Sequence, residues 1–109
     1  MQIHDLPFEV FDLEALTPEP HAGVTGHAEW KTVTKGNVRI RLVEYSPGYL
    51  ADHWCEKGHA VYVLEGEFES ELQDGRKFKL GKGMCYLVAD RAEAHRSYSE
   101  HGVKLLIVD

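Results

Sequence analysis

Residues 60–80 read AVYVLEGEFESELQDGRKFKL, and their period is two rather than 3.6. Phe68, Ser70 and Leu72 fall on one face of an extended chain, and Glu67, Glu69 and Glu71 on the other. Phe78 and Leu80 resume the alternation after Asp74-Gly75. The turn decides the register. A loop of Asp74-Gly75 alone sets Leu72 opposite Lys77 and mixes the faces. A longer loop, Gln73-Asp74-Gly75 with Gly75 left-handed, sets Phe68 opposite Leu80, Glu69 opposite Lys79 and Glu71 opposite Lys77. The second register satisfies both faces and is the one expected. Upstream, AVYVLEG is a nearly unbroken apolar run, as for a strand buried on both sides.

The same period continues outward in both directions. AEWKTVT (28–34) and VRIRLVEY (38–45) alternate; MCYLVA (84–89) and KLLIVD (104–109) are apolar strands, and AHRSYS (94–99) reads as a further one. Turn pairs such as Pro47-Gly48, Glu65-Gly66 and His101-Gly102 separate these runs. No helix of any length is signalled. Short, evenly spaced strands of this kind predict an all-β sandwich or barrel. Residues 1–27 carry Pro7, Pro18 and Pro20 and read as an irregular arm packing on a barrel of residues 28–109. Within the arm, FEVFDLEAL (8–16) suits a short strand or one helical turn.

A chain of 109 residues makes one domain. Its net charge is −6 and it has no Lys/Arg cluster, which argues against nucleic acid as a partner. No apolar run reaches the ~20 residues of a membrane span, and MQIHDLPFEV lacks the features of an export signal, so a cytoplasmic location is expected. Cys55 and Cys85 are then reduced thiols. Cys85, among apolar neighbours, is expected to be a small buried residue.

Cys55 stands elsewhere, in GYLADHWCEKGHAVYVLEG (48–66). On a strand His53 and Cys55 face the same way, and a bend through Glu56-Lys57-Gly58 brings His59 toward them. His95, in AEAHRSY, is the best remote candidate for a fourth ligand. His53, Cys55, His59 and His95 form a set of imidazoles and a thiolate, which favours Zn²⁺ first, with Fe, Ni or Cu as alternatives, over Mg²⁺ or Mn²⁺. If Cys55 turns away, three histidines remain with open positions. His4, His21, His27 and His101 have no ligand-spaced neighbour and read as solvated loop or arm residues. Tyr49, Trp54, Tyr62 and Tyr86 suit a pocket lining or simply core. Arg39 and Arg41 share one strand face; the usual preference of Arg for water favours a solvated face, the alternative being a barrel interior where they hold an anionic ligand. Asp52 and Glu56 are turned away from His53 by strand parity. There is no Ser-His-Asp order, phosphate loop or CxxC.

The spacing of Gly48, His53, Cys55, His59 and Gly66 resembles the first motif of the cupin superfamily, with Cys55 where that motif has its second His and His59 where it has Glu. Gly48 to His53 is one residue short. Gly83 and His95 match the ends of the second motif with one extra residue between; Asp90, Ala92 and Ser99 stand at its Pro, Gly and Asn positions. ADHWCEKGH is similar to the corresponding stretch of the small, single-domain DHCW-motif cupins, and the likeness extends through EWKT, VEYSPG and LLIVD. The resemblance implies a single-domain jelly-roll barrel with a metal in its mouth, and a homodimer, as does the need to cover edge strands. It implies no particular reaction. A small enzyme acting on an organic molecule, a non-catalytic ligand- or metal-sensing module, and a metal-free protein with a redox-responsive Cys55 all remain open.

Overall fold

The computed structural model of the protein describes residues 2–109. Its strands are β1 (Glu19–Ala22), β2 (His27–Lys35), β3 (Val38–Tyr45), β4 (Tyr49–Leu50), β5 (His59–Leu72), β6 (Lys77–Gly81), β7 (Cys85–Val88), β8 (His95–Ser99) and β9 (Val103–Val108), with one 3-10 turn at Leu13–Ala15. Every pairing is antiparallel. The larger sheet runs β1-β2-β3-β9-β5-β7 and the smaller β4-β8-β5-β6. β5 belongs to both: its residues 59–66 pair with β7 and β9, and 67–72 with β6 and β8. It turns the corner at Gly66, where φ is 79° and a Cβ would stand 2.4 Å from the Gly102 carbonyl oxygen. Only glycine fits that combination. The two sheets close as a jelly-roll barrel, filled by Val43, Val61, Val63, Phe68, Leu105 and Ile107.

The hairpin has the expected register, with Phe68 opposite Leu80, Glu69 opposite Lys79 and Glu71 opposite Lys77, and Gly75 is left-handed at φ 98°. The arm contributes the 3-10 turn, which falls within FEVFDLEAL, and also β1, which pairs with β2 from the sheet edge. Pro20 lies in β1, and an edge strand is where a sheet accommodates proline.

The outer face of the larger sheet departs from expectation. Cross-strand partners line up in two rows, Val33–Ile40–Val108–Ala60–Leu87 and Lys31–Leu42–Leu106–Tyr62–Cys85. Tyr62 is substantially exposed, Leu87 is 81 % exposed and Cys85 is exposed. AVYVLEG is therefore covered on its inner face, where Val61 and Val63 lie, but not fully on its outer face. Cys85 is not the small buried residue expected: MCYLV is apolar at every position, so its sequence does not say which parity points in, and the fold turns Tyr86 inward.

Candidate metal centre

Cys55, His59 and His95 converge at the mouth of the barrel, with one ligand atom from each lying within 4.8 Å of the others. Three separate backbone ties bring them there. Cys55 and His95 form an isolated antiparallel bridge, exchanging N–H···O bonds of 2.7 and 3.0 Å. The Glu56 carbonyl accepts from the Arg91 N–H at 2.8 Å. The Gly58 N–H donates to the Asp90 carboxylate at 2.7 Å. The loop before His59 is thereby stitched to the loop before His95. A Cβ at Gly58 would lie 2.5 Å from the Asp90 nitrogen, so this approach also requires glycine.

The hydrogen bonds fix which nitrogen of His95 faces inward. Its Nδ1 lies 2.9 Å from the Glu93 carbonyl, which only accepts, so Nδ1 carries the hydrogen and Nε2 points into the site. Nε2 of His59 is 2.9 Å from Nε2 of His95 and 3.2 Å from the Tyr86 hydroxyl. Two neutral imidazoles that direct Nε2 lone pairs at each other repel unless a proton or a cation lies between them. Two nitrogens bound to one ion at ~2.0–2.1 Å stand on the order of 3 Å apart, so the donor set fits a transition metal.

For His59 and Cys55 the electrostatics point the same way, while His95 is drawn toward its protonated form, whose proton a bound cation would displace. Burial, reinforced by the charges of His95 and Arg41, pushes His59 down to about 4, so it is a neutral imidazole. Hydrogen bonding with His95 draws the Cys55 thiol down toward thiolate, and the same contact raises His95. Burial raises Tyr86, whose phenol keeps its proton. Behind His59, Asp109 accepts from Arg39 at 2.9 and 3.0 Å and from Arg41 at 3.1 Å. Its carboxylate is 3.6 Å from His59 Nδ1, which is buried without a hydrogen-bond partner among the described residues. This is too long for a hydrogen bond, but the negative charge favours the tautomer with Nδ1–H and leaves Nε2 open to the site.

His53 is not brought into the cluster. Its side chain is 72 % exposed, and its Nδ1 lies 2.7 Å from Asp52. The chain bends at Asp52-His53 instead of continuing as a strand, so the parity that aligned His53 with Cys55, and turned Asp52 away from it, does not hold. Arg39 and Arg41 face the barrel interior rather than solvent, together with Tyr49, Trp54 and Tyr86, around a cavity of about 350 Å³. Tyr62 lies on the outer face instead. Asp109, which the arginines require, carries no local signal in the sequence.

No family model and no curated protein sequence matches the chain. Solved structures do match. A predicted oxalate decarboxylase from Thermotoga maritima is similar over 92 % of this chain and 96 % of its own, at 18 % identity and a TM-score of 0.77. Ectoine synthase from P. lautus is similar over 93 % of this chain and 76 % of its own, at 20 % identity and a TM-score of 0.74. An RmlC-like cupin from Shewanella frigidimarina covers 87 % of this chain and 83 % of its own, at 18 % identity and a TM-score of 0.70. At these identities the likeness is one of fold, and the fold is that of the cupins.

Proposed function

We propose that this cupin-fold chain, a single domain of residues 1–109, holds a divalent transition metal on Cys55, His59 and His95 and presents it to a small organic molecule in the barrel cavity. The observation that carries the reading is the facing pair of Nε2 atoms at 2.9 Å with a thiol beside them. One thiolate and two imidazoles suit Zn²⁺ best, with Fe, Ni or Cu next. Three protein ligands leave a position open toward the cavity, as in catalytic rather than structural sites. His53, at the rim, stands outside this set. A bound ion would supply Lewis acidity to a substrate oxygen. The chain's own residues hold the rest: Tyr86 keeps a proton beside His59, and Arg39 and Arg41 put positive charge on the cavity wall. A sensing module that binds without turnover uses the same site, and substrate screening separates the two.

The partner is a second copy. The outer rows of the larger sheet include exposed Leu87 and Tyr62, and the arm shows Phe8, 96 % exposed, and Val10, so the chain presents apolar surface suited to a self-complementary contact. Among the described residues no helix is long and apolar enough to cross a membrane, and we place the protein in the cytoplasm without nucleic acid.

Metal analysis of untagged protein, followed by Zn²⁺ and Co²⁺ titration, tests the site. The expected outcome is one ion per chain and an intense near-ultraviolet thiolate band with Co²⁺. Cys55→Ser removes the band, His95→Ala weakens uptake by at least roughly tenfold, and His53→Ala changes it little. Failure to take up any of these ions, or uptake indifferent to His95→Ala, sinks the assignment.

A further inference from the structure

The cavity reverses the sign of the chain that builds it. The protein carries a net charge of −6, yet Arg39, Arg41, Lys57 and Arg96 line the cavity against Glu56 alone. Arg96 is matched by Glu71 at 2.9 Å. Asp109 is one carboxylate shared by two guanidiniums, so one positive charge is left over between Arg39 and Arg41. Arg41 is only 5 % exposed, and its Nε has no partner among the described residues. An unpaired buried donor is costly, and a guanidinium more so; a planar oxyanion matches its fork. Away from the cluster of Cys55, His59 and His95, the wall beside the arginines is largely aromatic and apolar. Arg41 lies over Trp30 at 4.5 Å, Tyr45 and Tyr49 stack with centroids 4.3 Å apart, and Phe68 and Ile107 close the floor. At about 350 Å³ the space is at the small end of the ~300–1,000 Å³ usual for small-molecule sites.

We infer that the cavity takes a small, largely apolar molecule bearing one carboxylate, with the carboxylate docked on the remaining donors of Arg41 and Arg39 and the body against the Trp30–Tyr45–Tyr49 wall. A dianion such as a phosphate monoester fits less well: between Arg39 and Arg41 only one positive charge is unspent, and the aromatic wall beside them offers a second negative charge little solvation. The inference rests on reading the barrel mouth as a small-molecule site, and names the ligand class for it. It does not depend on which ion, if any, is bound.

The test is calorimetric titration of chelator-treated and zinc-loaded protein with benzoate and with its neutral counterpart, benzamide. Hexanoate and hexanamide serve as a straight-chain pair. At least one acid binds the wild type roughly tenfold to a hundredfold more tightly than its amide, the range for a charge-assisted hydrogen bond. Arg41→Gln and Arg39→Gln each remove most of that preference. Arg41→Lys keeps the charge but not the fork, and recovers only part of it. Should Arg41→Gln fail to fold by circular dichroism, the more exposed Arg39 decides alone. The preference is already present in chelator-treated wild type, which holds no zinc, so failure of zinc uptake and failure of acid binding are separate results. Acids that bind no better than their amides, no binding by either acid at about 10 mM, or an acid preference that survives both arginine-to-glutamine changes overturns the inference.

Discussion

Asp109→Asn removes the charge that keeps two arginines inside the barrel. The Asp109 side chain is 1 % exposed and that of Arg41 7 %, while Arg39 is 30 % exposed. Asparagine keeps an acceptor of similar shape but leaves the guanidiniums without a counter-charge. Removing one partner of a buried ion pair costs about 3–5 kcal/mol. The partial exposure of Arg39 and the surviving acceptor place this case at the lower end, about 3 kcal/mol. At ~4–8 °C per kcal/mol for a domain of this size, the melting temperature falls by roughly 12–24 °C.

Urea unfolding of chelator-treated protein, followed by the fluorescence of Trp30 beneath Arg41 and of Trp54, measures the difference. Its pH dependence has a definite sign. Burial alone would raise the Asp109 carboxyl, but the hydrogen bond from Arg39 and the charges of Arg41 and Arg39 outweigh it and hold it below its ordinary 3.8. The stabilisation is therefore complete above the unfolded pKa of about 3.9 and disappears as pH falls through the lower folded value. The gap between wild type and variant stays flat from about pH 7 to 5 and closes only in stronger acid. A gap below about 1 kcal/mol at neutral pH, or one that widens on acidification, refutes the reasoning.

Two further changes probe other parts of the molecule. Gly58→Ala places a methyl 2.5 Å from the Asp90 nitrogen and forces the two ligand-bearing loops apart; competition titration then shows zinc affinity lowered by roughly tenfold to a hundredfold, whereas unchanged affinity means the loop contact does not position His59. Leu87→Asp puts a charge in the exposed outer row and shifts sedimentation from dimer to monomer while folded-chain stability moves by less than about 0.5 kcal/mol. Identical sedimentation of wild type and variant removes this face from the interface.

The sequence was most legible where local patterning and turn chemistry act together. Phe68 meets Leu80 because period-two alternation and a left-handed Gly75 admit only one register. Cys55 and His59 were visible from their spacing at a strand entrance, and His95 from its place after a glycine-bounded strand. His53 was misplaced because parity is a property of extended chain, and the chain bends at Asp52-His53. The inward turn of Arg39 and Arg41 was visible only as the less favoured alternative, for a different reason. Their partner, Asp109, lies 70 positions away from Arg39, and nothing near the arginines announces a buried counter-charge. Cys85 illustrates a third limit, since a strand apolar on both parities leaves its inner face to be chosen by tertiary packing.

One strand serving both sheets has a thermodynamic consequence. Neither sheet can open far without releasing β5 from the other, so sub-global unfolding has little room, and the barrel melts as one cooperative unit. Amides of Val61, Val63, Ser70 and their neighbours then exchange with solvent only through that global event. An ion held as proposed, by His59 at one end of β5 and by His95, paired to Leu72 at its other end, is expected to slow their exchange in proportion to its occupancy. Deuterium uptake along a single strand thus becomes a gauge of how full the site is.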